Sequence, residues 1–279
     1  MVKIIINADD LGKDHETNLA IEDALKKGCI TSSTIMANST TWDDVHRIVE
    51  GFPNASFGVH LNLTEGRALS DGKVLREYGI VDDNFCFTKK SRKILEVNKE
   101  LEEAIFDEWD SQINKVVNIE EIKITHIDGH HHIHMNAAYT NILSRLVVKY
   151  HIGFVRRKHN SWKSKSPKET ISGLVTNAVC SVPFVRNLAG KLSQGMKLRI
   201  NNQNWLKIVS GVTHFTDYFN GYEQAIDFVR GGSLPSTGSV IELMCHPGHP
   251  SFVNEYNKVQ EHEIEKLIKD VELSSYQSI

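Results

Sequence analysis

Few cysteines and no long apolar run are present in this chain, and each absence argues against a class of protein. The four cysteines, Cys29, Cys86, Cys180 and Cys245, are scattered and include no Cys-x-x-Cys pair. A disulfide framework is therefore not expected. Cys245 lies in an apolar segment with nothing nearby to lower its pKa, so it is predicted to be a core residue and not a nucleophile. No apolar stretch reaches the eighteen residues of a transmembrane helix, and no membrane span is predicted.

An excess of one charge is also lacking. The formal net charge is -3 and the pI is about 6.5, which argues against the basic surface that a nucleic acid requires. The basic stretch 156–168 is interrupted by Ser, Asn and Trp, and we interpret it as a solvated loop. The first residues enter a strand-like run without a signal-peptide pattern. We therefore expect a cytoplasmic protein that binds neither nucleic acid nor membrane.

Short β-branched runs alternate with helix-like stretches along the 279 residues. This alternation predicts an α/β fold of parallel strands joined by right-handed crossovers. Periodicity alone leaves both a barrel and an open doubly wound sheet possible. The first helix is expected to have Thr17 as N-cap and Gly28 just beyond its end. The predicted strands are 3–8, 31–37, 56–63, 122–127, 153–156, 212–215 and 239–245, and the predicted helices are 18–27, 42–50, 94–117, 137–149 and 255–271.

Two regions fit the alternation poorly. Residues 65–93 are predicted to be a long loop, and residues 158–210 an insertion of mixed helix and loop. Long insertions in compact domains are often functional lids, although disorder is the alternative. The whole chain, 1–279, is otherwise interpreted as one domain.

Four predicted strands end in groups that can bind a metal or titrate. Asp9 and Asp10 follow the first strand, and His60 lies at the end of the third. The fourth strand leads into a cluster of His126, Asp128, His130, His131, His132 and His134, and the last into His246 and His249. Active sites of parallel α/β folds lie at the carboxyl ends of strands. Chemistry and topology therefore predict a site at the same edge of the sheet.

Each of these features also has a purely structural interpretation. Two aspartates after a strand are often a turn and a helix N-cap, and a single histidine is often a hydrogen-bonded core residue. A histidine-rich tract can be a tag or a metal store, but tags lie at termini and this cluster is internal. In an extended chain, alternate residues from His126 to His134 would share a face, although Gly129 is expected to break that regularity.

One carboxylate with two imidazoles is a common ligand set that leaves metal positions open for water and substrate. Zinc and other first-row divalent ions suit it better than magnesium, because imidazole is a softer donor than oxygen. A second carboxylate beside the metal can act as general base, and a more remote histidine can protonate a leaving group. The pattern thus favours a metal-dependent hydrolase.

Four motifs, in this order, resemble those of the YdjC-like carbohydrate deacetylases, which include the chitooligosaccharide deacetylases. They are NADDLG at 7–12, GVHL at 58–61, THIDGHHHIHM at 125–135 and ELMCHP at 242–247. Each motif alone is weak, but together they span nearly the whole chain. The segment from about 158 to 210 contains no motif that matches, which leaves the choice of substrate open.

The resemblance implies a seven-stranded, TIM-barrel-like (β/α) fold and hydrolysis of an acetamido group on a sugar such as a chitooligosaccharide. It implies one divalent metal ion, Mg²⁺ or Zn²⁺, bound by Asp10, His60 and His130. Asp9 is implied as the general base and His246 as the acid. From spacing we add that Asp128 or His126 holds a ligand imidazole in place.

Two other functions remain open at this point. A metal-dependent phosphoesterase would use a similar Asp and His set, with spare histidines for a second metal. A non-catalytic metal-binding module would hold several ions without needing Asp9. A small carbohydrate is the expected partner, and a homodimer is the usual state of such enzymes. Six aromatic residues are candidates either for sugar stacking or for the core: Trp162, Trp205, Phe215, Tyr218, Phe219 and Tyr222.

Overall fold

A computed structural model describes residues 1–156 and 213–279. The insertion predicted at 158–210, with Trp162, Trp205 and Cys180, lies outside them. The strands are β1 Val2–Leu11, β2 Ser32–Ile35, β3 Ser56–Leu61, β4 His126–Gly129, β5 Phe154–Val155, β6 Tyr218–Gly221, β7 Val240–Cys245 and β8 Val271–Leu273. Seven of them lie side by side in the sheet in the order β5-β4-β3-β2-β1-β7-β6, and β8 pairs with β1.

Every pairing between these strands is parallel. The predicted α/β fold with a seven-stranded parallel sheet is therefore confirmed. In the described residues this sheet is an open half-barrel and not a closed barrel. Beyond β5, a single parallel bridge joins Phe154 to His214. The strand predicted at 212–215 is reduced to this bridge in the part of it that the structure describes.

Helices cover the sheet. They are α1 His15–Lys26, α2 Trp42–Gly51, α3 Lys73–Glu77, α4 Lys99–Asn114, α5 Thr140–Tyr150, α6 Tyr222–Arg230, α7 Val253–Gln260 and α8 Glu263–Leu267. Short 3₁₀ turns lie at Lys89–Lys93, His130–Met135, Ala137–Tyr139 and Pro250–Phe252, and a π-helical turn at Lys115–Ile119 follows α4. The predicted loop 65–93 therefore contains one α-helix and one 3₁₀ turn.

The first helix shows how local chemistry sets a boundary. Thr17 is not its N-cap, because the carboxylate of Asp14 accepts a hydrogen bond from the Thr17 backbone N–H at 2.8 Å. A side-chain oxygen three residues before that N–H is the usual capping geometry. Gly28, with φ of +68°, follows the C-cap residue Lys27, as predicted.

Three other boundaries differ from the sequence prediction. β4 begins at His126 and not at 122. The backbone N–H of Ile122 is not free for the sheet, because it donates to the carbonyl of Val116 in the preceding π-helical turn. The long helix predicted at 94–117 begins at Lys99, where the Asn98 side chain caps it. The closing helix predicted at 255–271 is two short helices, broken at His262 with φ of +52°, and its end is followed by β8.

The central strands are buried on both faces, as parallel strands covered by helices must be. All six residues of β3 are buried, and Ile4, Ile5 and Ile6 of β1 are completely inaccessible. Cys245 is also completely buried, and burial raises its pKa, so its predicted place in the core is confirmed. Among the described helices, none has the length and apolar character needed to cross a membrane.

Candidate active site

A bulge at the end of β1 brings two consecutive carboxylates to the same site. Ala8 pairs with Ser33 and Leu11 with Ile35, so β1 has one more residue than β2 across this interval. Asp10 is the extra residue of this bulge. Its φ of +75° is left-handed, a conformation that aspartate tolerates better than most residues. Regular alternation would send neighbouring side chains to opposite faces. Here Asp9 and Asp10 are both buried and both contact charged groups of other strands.

Asp10 meets the histidines of two other elements. Its Oδ1 lies 3.2 Å from Nε2 of His60 at the end of β3. The same oxygen lies 2.8 Å from Nδ1 of His130, just after β4. The three residues each offer one ligand atom, and these atoms lie within 4.8 Å of one another. The three side chains that the resemblance implied as metal ligands are therefore brought together.

His60 faces a carboxylate on each nitrogen. Its Nδ1 lies 2.6 Å from Oδ1 of Asp128, whose other oxygen accepts a hydrogen bond from the Thr34 hydroxyl at 3.0 Å. Burial alone would lower the pKa of His60, but the surrounding carboxylates, Asp128 first, raise it to about 10. Negative charge that would hold a proton on this ring would equally hold a metal cation.

His130 is oriented in a similar way. Its Nδ1 faces Asp10, and its Nε2 lies 3.3 Å from Oε2 of Glu65. Lys13 lies between the two carboxylates, with Nζ 3.6 Å from Asp10 and 3.4 Å from Glu65. The ion pair with His130 and burial act in opposite directions on Glu65, and the net effect lowers its pKa to about 2.

The tract after His130 does not continue as an extended strand. His131 and His132 have φ of +52° and +56°, inside a 3₁₀ turn. The break in alternation expected at Gly129 is therefore confirmed, because β4 ends at that residue and the backbone turns from His130 onward. Left-handed backbone at two consecutive non-glycine residues is uncommon, and such strain concentrates at functional sites.

Glu65, His130 and His131 form a second group with ligand atoms in mutual reach. This group shares His130 with the first. A neutral imidazole offers one lone pair, so both groups cannot hold a metal through it at once. The arrangement therefore favours one ion, with Glu65 as the hydrogen-bond acceptor for the second nitrogen of His130.

Arg156 is the residue at this site that sequence reasoning missed. It directly follows β5, is only 1% exposed, and forms ion pairs with carboxylates of β1, β4 and β7. Its Nη atoms donate to both oxygens of Asp9 at 2.7 Å, and Nη2 lies 2.8 Å from Asp128. Its Nε donates to Glu242 of β7 at 2.6 Å. The interpretation of 156–168 as a solvated loop is thus wrong for its first residue, and the other residues of that stretch lie outside the described ones.

The charges around Arg156 stabilise one another. Burial alone would raise the pKa of Asp9, but the Arg156 guanidinium holds it well below its usual value. The Asn7 amide also donates to Asp9 at 2.9 Å. Phe219 packs against the guanidinium, with the ring centroid 5.0 Å from Cζ. Asp9 is therefore an anion at neutral pH, in a fixed orientation beside the three-residue group.

His246 lies after β7, in the loop before α7. Its backbone N–H donates to Oε2 of Glu255 at 2.8 Å, and its Nδ1 lies 3.2 Å from the same oxygen. Its ring stacks on Phe252 with centroids 4.3 Å apart. Burial alone would lower the pKa of His246, but Glu255 and then Asp9 raise it above its usual value. His246 therefore binds a proton more readily than a free imidazole does, and the charge of Asp9 contributes to this although no contact joins the two residues directly.

Four predicted residues lie outside this cluster or only beside it. The His126 ring contacts Asn7 at 3.1 Å and Ser32 at 3.3 Å, and burial lowers its pKa, so it is a neutral core residue under the site. Nε2 of His134 lies 3.0 Å from the Arg156 carbonyl oxygen. The side chain of His249 accepts from Ser251 in an exposed turn. Tyr222 is completely buried, which places it in the core.

The residues at this site fit a divalent cation. Oδ1 of Asp10 and Nε2 of His130 are buried atoms without a hydrogen bond of good geometry. Leaving such atoms unsatisfied costs about 1–3 kcal/mol each, and a bound cation would remove that cost at Asp10. An aspartate and two histidines are a donor set that suits Zn²⁺ and similar ions.

Comparison with known proteins agrees with the sequence motifs. A family model described as YdjC-like protein matches residues 3–276. A carbohydrate deacetylase of Vibrio cholerae is 24% identical over all of this chain and 96% of its own length. A carbohydrate deacetylase of Brevibacillus brevis is 31% identical, over 54% of this chain and 58% of its own length. The chain therefore matches less than two thirds of the length of the Brevibacillus brevis protein.

A crystal structure from Enterococcus faecalis shares the fold. It superposes with a TM-score of 0.70 at 22% identity, over 99% of this chain and 98% of its own. That protein has been assigned provisionally to cellobiose-phosphate cleavage. At this level of identity the likeness establishes the architecture and nothing about the reaction.

Proposed function

This chain belongs to the YdjC-like family, and from that membership and its site we propose that it is a metal-dependent hydrolase that removes acetyl groups from N-acetylated sugars. One observation carries the proposal: the ligand atoms of Asp10, His60 and His130 lie within 4.8 Å of one another, and the charges around them lower the pKa of Asp9 and raise that of His246. The names of the relatives, carbohydrate deacetylases, support the choice of substrate.

The proposed ligands are Asp10, His60 and His130, with Asp128 orienting His60. When bound there, a divalent cation such as Zn²⁺ or Mg²⁺ would polarise the acetamido carbonyl and lower the pKa of a water molecule. The imidazoles favour Zn²⁺ over Mg²⁺. The soluble substrate is expected to be an acetylated amino sugar or a short chitooligosaccharide.

Asp9 and His246 carry the protons in this proposal. Asp9 accepts a proton from the attacking water as the C–O bond forms, and Arg156 keeps its carboxylate aimed at that position. His246, with Nδ1 facing Glu255, donates a proton to the sugar nitrogen as the C–N bond breaks. The products are a free amino sugar and acetic acid, which releases its remaining proton to water as acetate.

The phosphoesterase alternative has one observation in its favour. The group of Glu65, His130 and His131 would be the place for a second metal. Two-metal phosphoesterases hold their ions about 3.5–4 Å apart with separate ligands. Because the two groups here share His130, we favour the one-metal deacetylase.

Acetate release tests the proposal. Purified metal-free protein would be supplied with Zn²⁺, Co²⁺, Mn²⁺ or Mg²⁺ and incubated with N-acetylglucosamine and N,N′-diacetylchitobiose. Metal-dependent acetate formation is the expected result. Release of phosphate from phosphorylated sugars, without acetate from any acetylated one, would favour the phosphoesterase instead.

A further inference from the structure

We propose that the C-terminal segment 271–277 belongs to the catalytic machinery, because Tyr276 positions Asp9 through Glu242 and Arg156. The inference rests on the proposed role of Asp9. Tyr276 lies beside the first residues of β4 and β5, whereas the predicted ligands lie at strand ends, and it touches none of them. Its effect on Asp9 therefore passes through other side chains, and we call it a positioning residue.

The segment is attached to the starts of the strands. β8 pairs with the first residues of β1, and the backbone N–H of Ser274 donates to the carbonyl of Ile4 at 2.8 Å. Beyond Tyr276, the Gln277 backbone N–H donates to the Ser56 hydroxyl at 3.0 Å, and its side chain donates to the Ala55 carbonyl at 2.7 Å. These bonds on both sides of Tyr276 fix its backbone at the amino-terminal end of the sheet.

The Tyr276 ring is packed between two strands. It stacks on His126 of β4 with centroids 4.1 Å apart and an interplanar angle of 24°, and it lies 5.2 Å from the Phe154 ring of β5. Only 4% of the residue is exposed. The position of its hydroxyl is therefore set by packing on several sides.

The hydroxyl meets the carboxylate of Glu242. Oε1 of Glu242 accepts the Nε–H of Arg156 at 2.6 Å, whereas Oε2 is buried and has no hydrogen bond of good geometry. The phenol of Tyr276 forms a side-chain hydrogen bond with this carboxylate. Without the phenol, Glu242 would be a fully buried carboxylate held, among the described residues, by the Arg156 Nε–H alone.

The guanidinium carries the effect onward. Because it is planar and rigid, holding Nε at Glu242 also fixes the plane in which the two Nη atoms donate to Asp9. A rotation of Glu242 would tilt this plane and move the Asp9 carboxylate. Tyr276, Glu242, Arg156 and Asp9 thus form a continuous buried chain from the base of the sheet to the site.

The test compares Tyr276→Phe with Tyr222→Phe. Both remove a buried hydroxyl that faces a carboxylate, but the Tyr222 hydroxyl lies near Glu265, away from Arg156. In Tyr276→Phe we expect kcat to fall roughly 10- to 100-fold, the cost of a small misplacement, while KM and bound metal stay at the wild-type level. In Tyr222→Phe all three quantities should be unchanged.

Glu242→Gln and the double variant with Tyr276→Phe separate positioning from general packing. If Tyr276 acts through Glu242, the double variant should be no slower than Glu242→Gln alone. Losses in kcat that multiply in the double variant would contradict the proposal. So would equal losses in Tyr276→Phe and Tyr222→Phe.

A measurement that needs no substrate distinguishes this inference from the proposed function. The Nε–H group of Arg156 should give a slowly exchanging ¹⁵N–¹H signal, assigned by its loss in Arg156→Lys. Tyr276→Phe should shift it, and Tyr222→Phe should not. An unmoved signal would overturn the inference, even in an active deacetylase. A shifted signal in a protein that releases no acetate would refute the proposed function and keep the Tyr276 link to Arg156.

Discussion

Oδ1 of Asp128 lies 2.6 Å from Nδ1 of His60, on the side of the ring away from Asp10. A carboxylate in this position holds a proton on Nδ1, so Nε2 is the nitrogen that a metal beside Asp10 would bind. The Thr34 hydroxyl in turn holds Asp128. The metal-binding geometry proposed here thus depends on residues that would not touch the metal.

Replacing Asp128 by Asn should weaken metal binding by about 10- to 100-fold, because His60 loses the charged acceptor that orients it. Competition with a chromophoric chelator would measure the affinity. Asp71→Asn, which alters a carboxylate with 73% side-chain exposure, serves as the control and should bind metal as the wild type does. Equal affinity in Asp128→Asn would contradict the orienting role.

Asp9→Asn and His60→Ala should separate proton transfer from metal binding. Asp9→Asn is expected to retain one metal per chain and to lose activity by about 10²- to 10⁴-fold, the usual contribution of a general base. His60→Ala should lose both. Metal content by mass spectrometry and acetate release would be measured on the same preparations. Full activity in Asp9→Asn would show that another group is the base.

Arg156→Met should destabilise the fold by about 3–5 kcal/mol, because three buried carboxylates lose their counter-ion. Urea denaturation at pH 7 would measure this. Arg145→Met is the matched control, since Arg145 is 36% exposed and pairs with Glu103 at the surface, where about 0–1 kcal/mol is expected. A loss as small as that of the control would mean that the buried ion pairs are individually dispensable.

The same ion pair predicts how stability changes with pH. The pKa of Asp9 is lowered in the folded state from an ordinary value of 3.8. Its contribution is therefore fully present above that ordinary value and is lost as the pH falls through the lower folded pKa. The free energy of unfolding, measured between pH 6 and pH 2, should fall more steeply in the wild type than in Arg156→Met. Parallel curves would argue against this coupling.

Glu255→Gln should move the basic limb of the rate profile to lower pH. Glu255 raises the pKa of His246, which must be protonated to act as the acid, so activity would be lost at a lower pH without that charge. Glutamine keeps an acceptor for the His246 backbone N–H. Glu223→Gln, which breaks a surface pair with Lys258, should leave the profile unchanged. An unmoved basic limb in Glu255→Gln would exclude His246 as the acid.

The sequence identifies the edge of the sheet at which the site lies, because strand ends in a parallel fold meet there. Asp9, Asp10, His60 and His130 could be named in advance since each follows a recognisable apolar strand. The parallel α/β sheet also follows from the alternation of strands and helices, although that alternation does not choose between a barrel and an open sheet. Spacing left Asp128 and His126 as alternatives for the residue that holds a ligand imidazole, and it is Asp128 that lies against His60.

The roles of Arg156 and Glu242 could not be predicted, because they depend on contacts between distant segments. Arg156 follows a strand of two residues and precedes a basic stretch, so nothing local distinguishes it from a surface arginine. Glu242 lies inside an apolar strand, where a lone carboxylate gives no hint of its partner. One general rule does apply: a buried carboxylate needs a cationic partner. This rule favours an arginine at a neighbouring strand end.

The break in the closing helix and the strand β8 could not be predicted for a different reason. Helical spacing continues across His262, so residues 255–271 resemble one helix although the backbone turns there. β8 is three residues long, and its pairing with β1 spans nearly the whole chain. Local periodicity carries no information on such a contact.

The extra residue in β1 has a consequence for how catalytic pairs can be built. In a regular strand, two carboxylates on one face must be separated by a residue whose side chain points the other way. A single inserted position with left-handed backbone removes that spacing and puts adjacent side chains on one face, each with its own partner. A designer seeking an acid pair on a parallel scaffold could therefore insert one aspartate at a strand end, without any new loop.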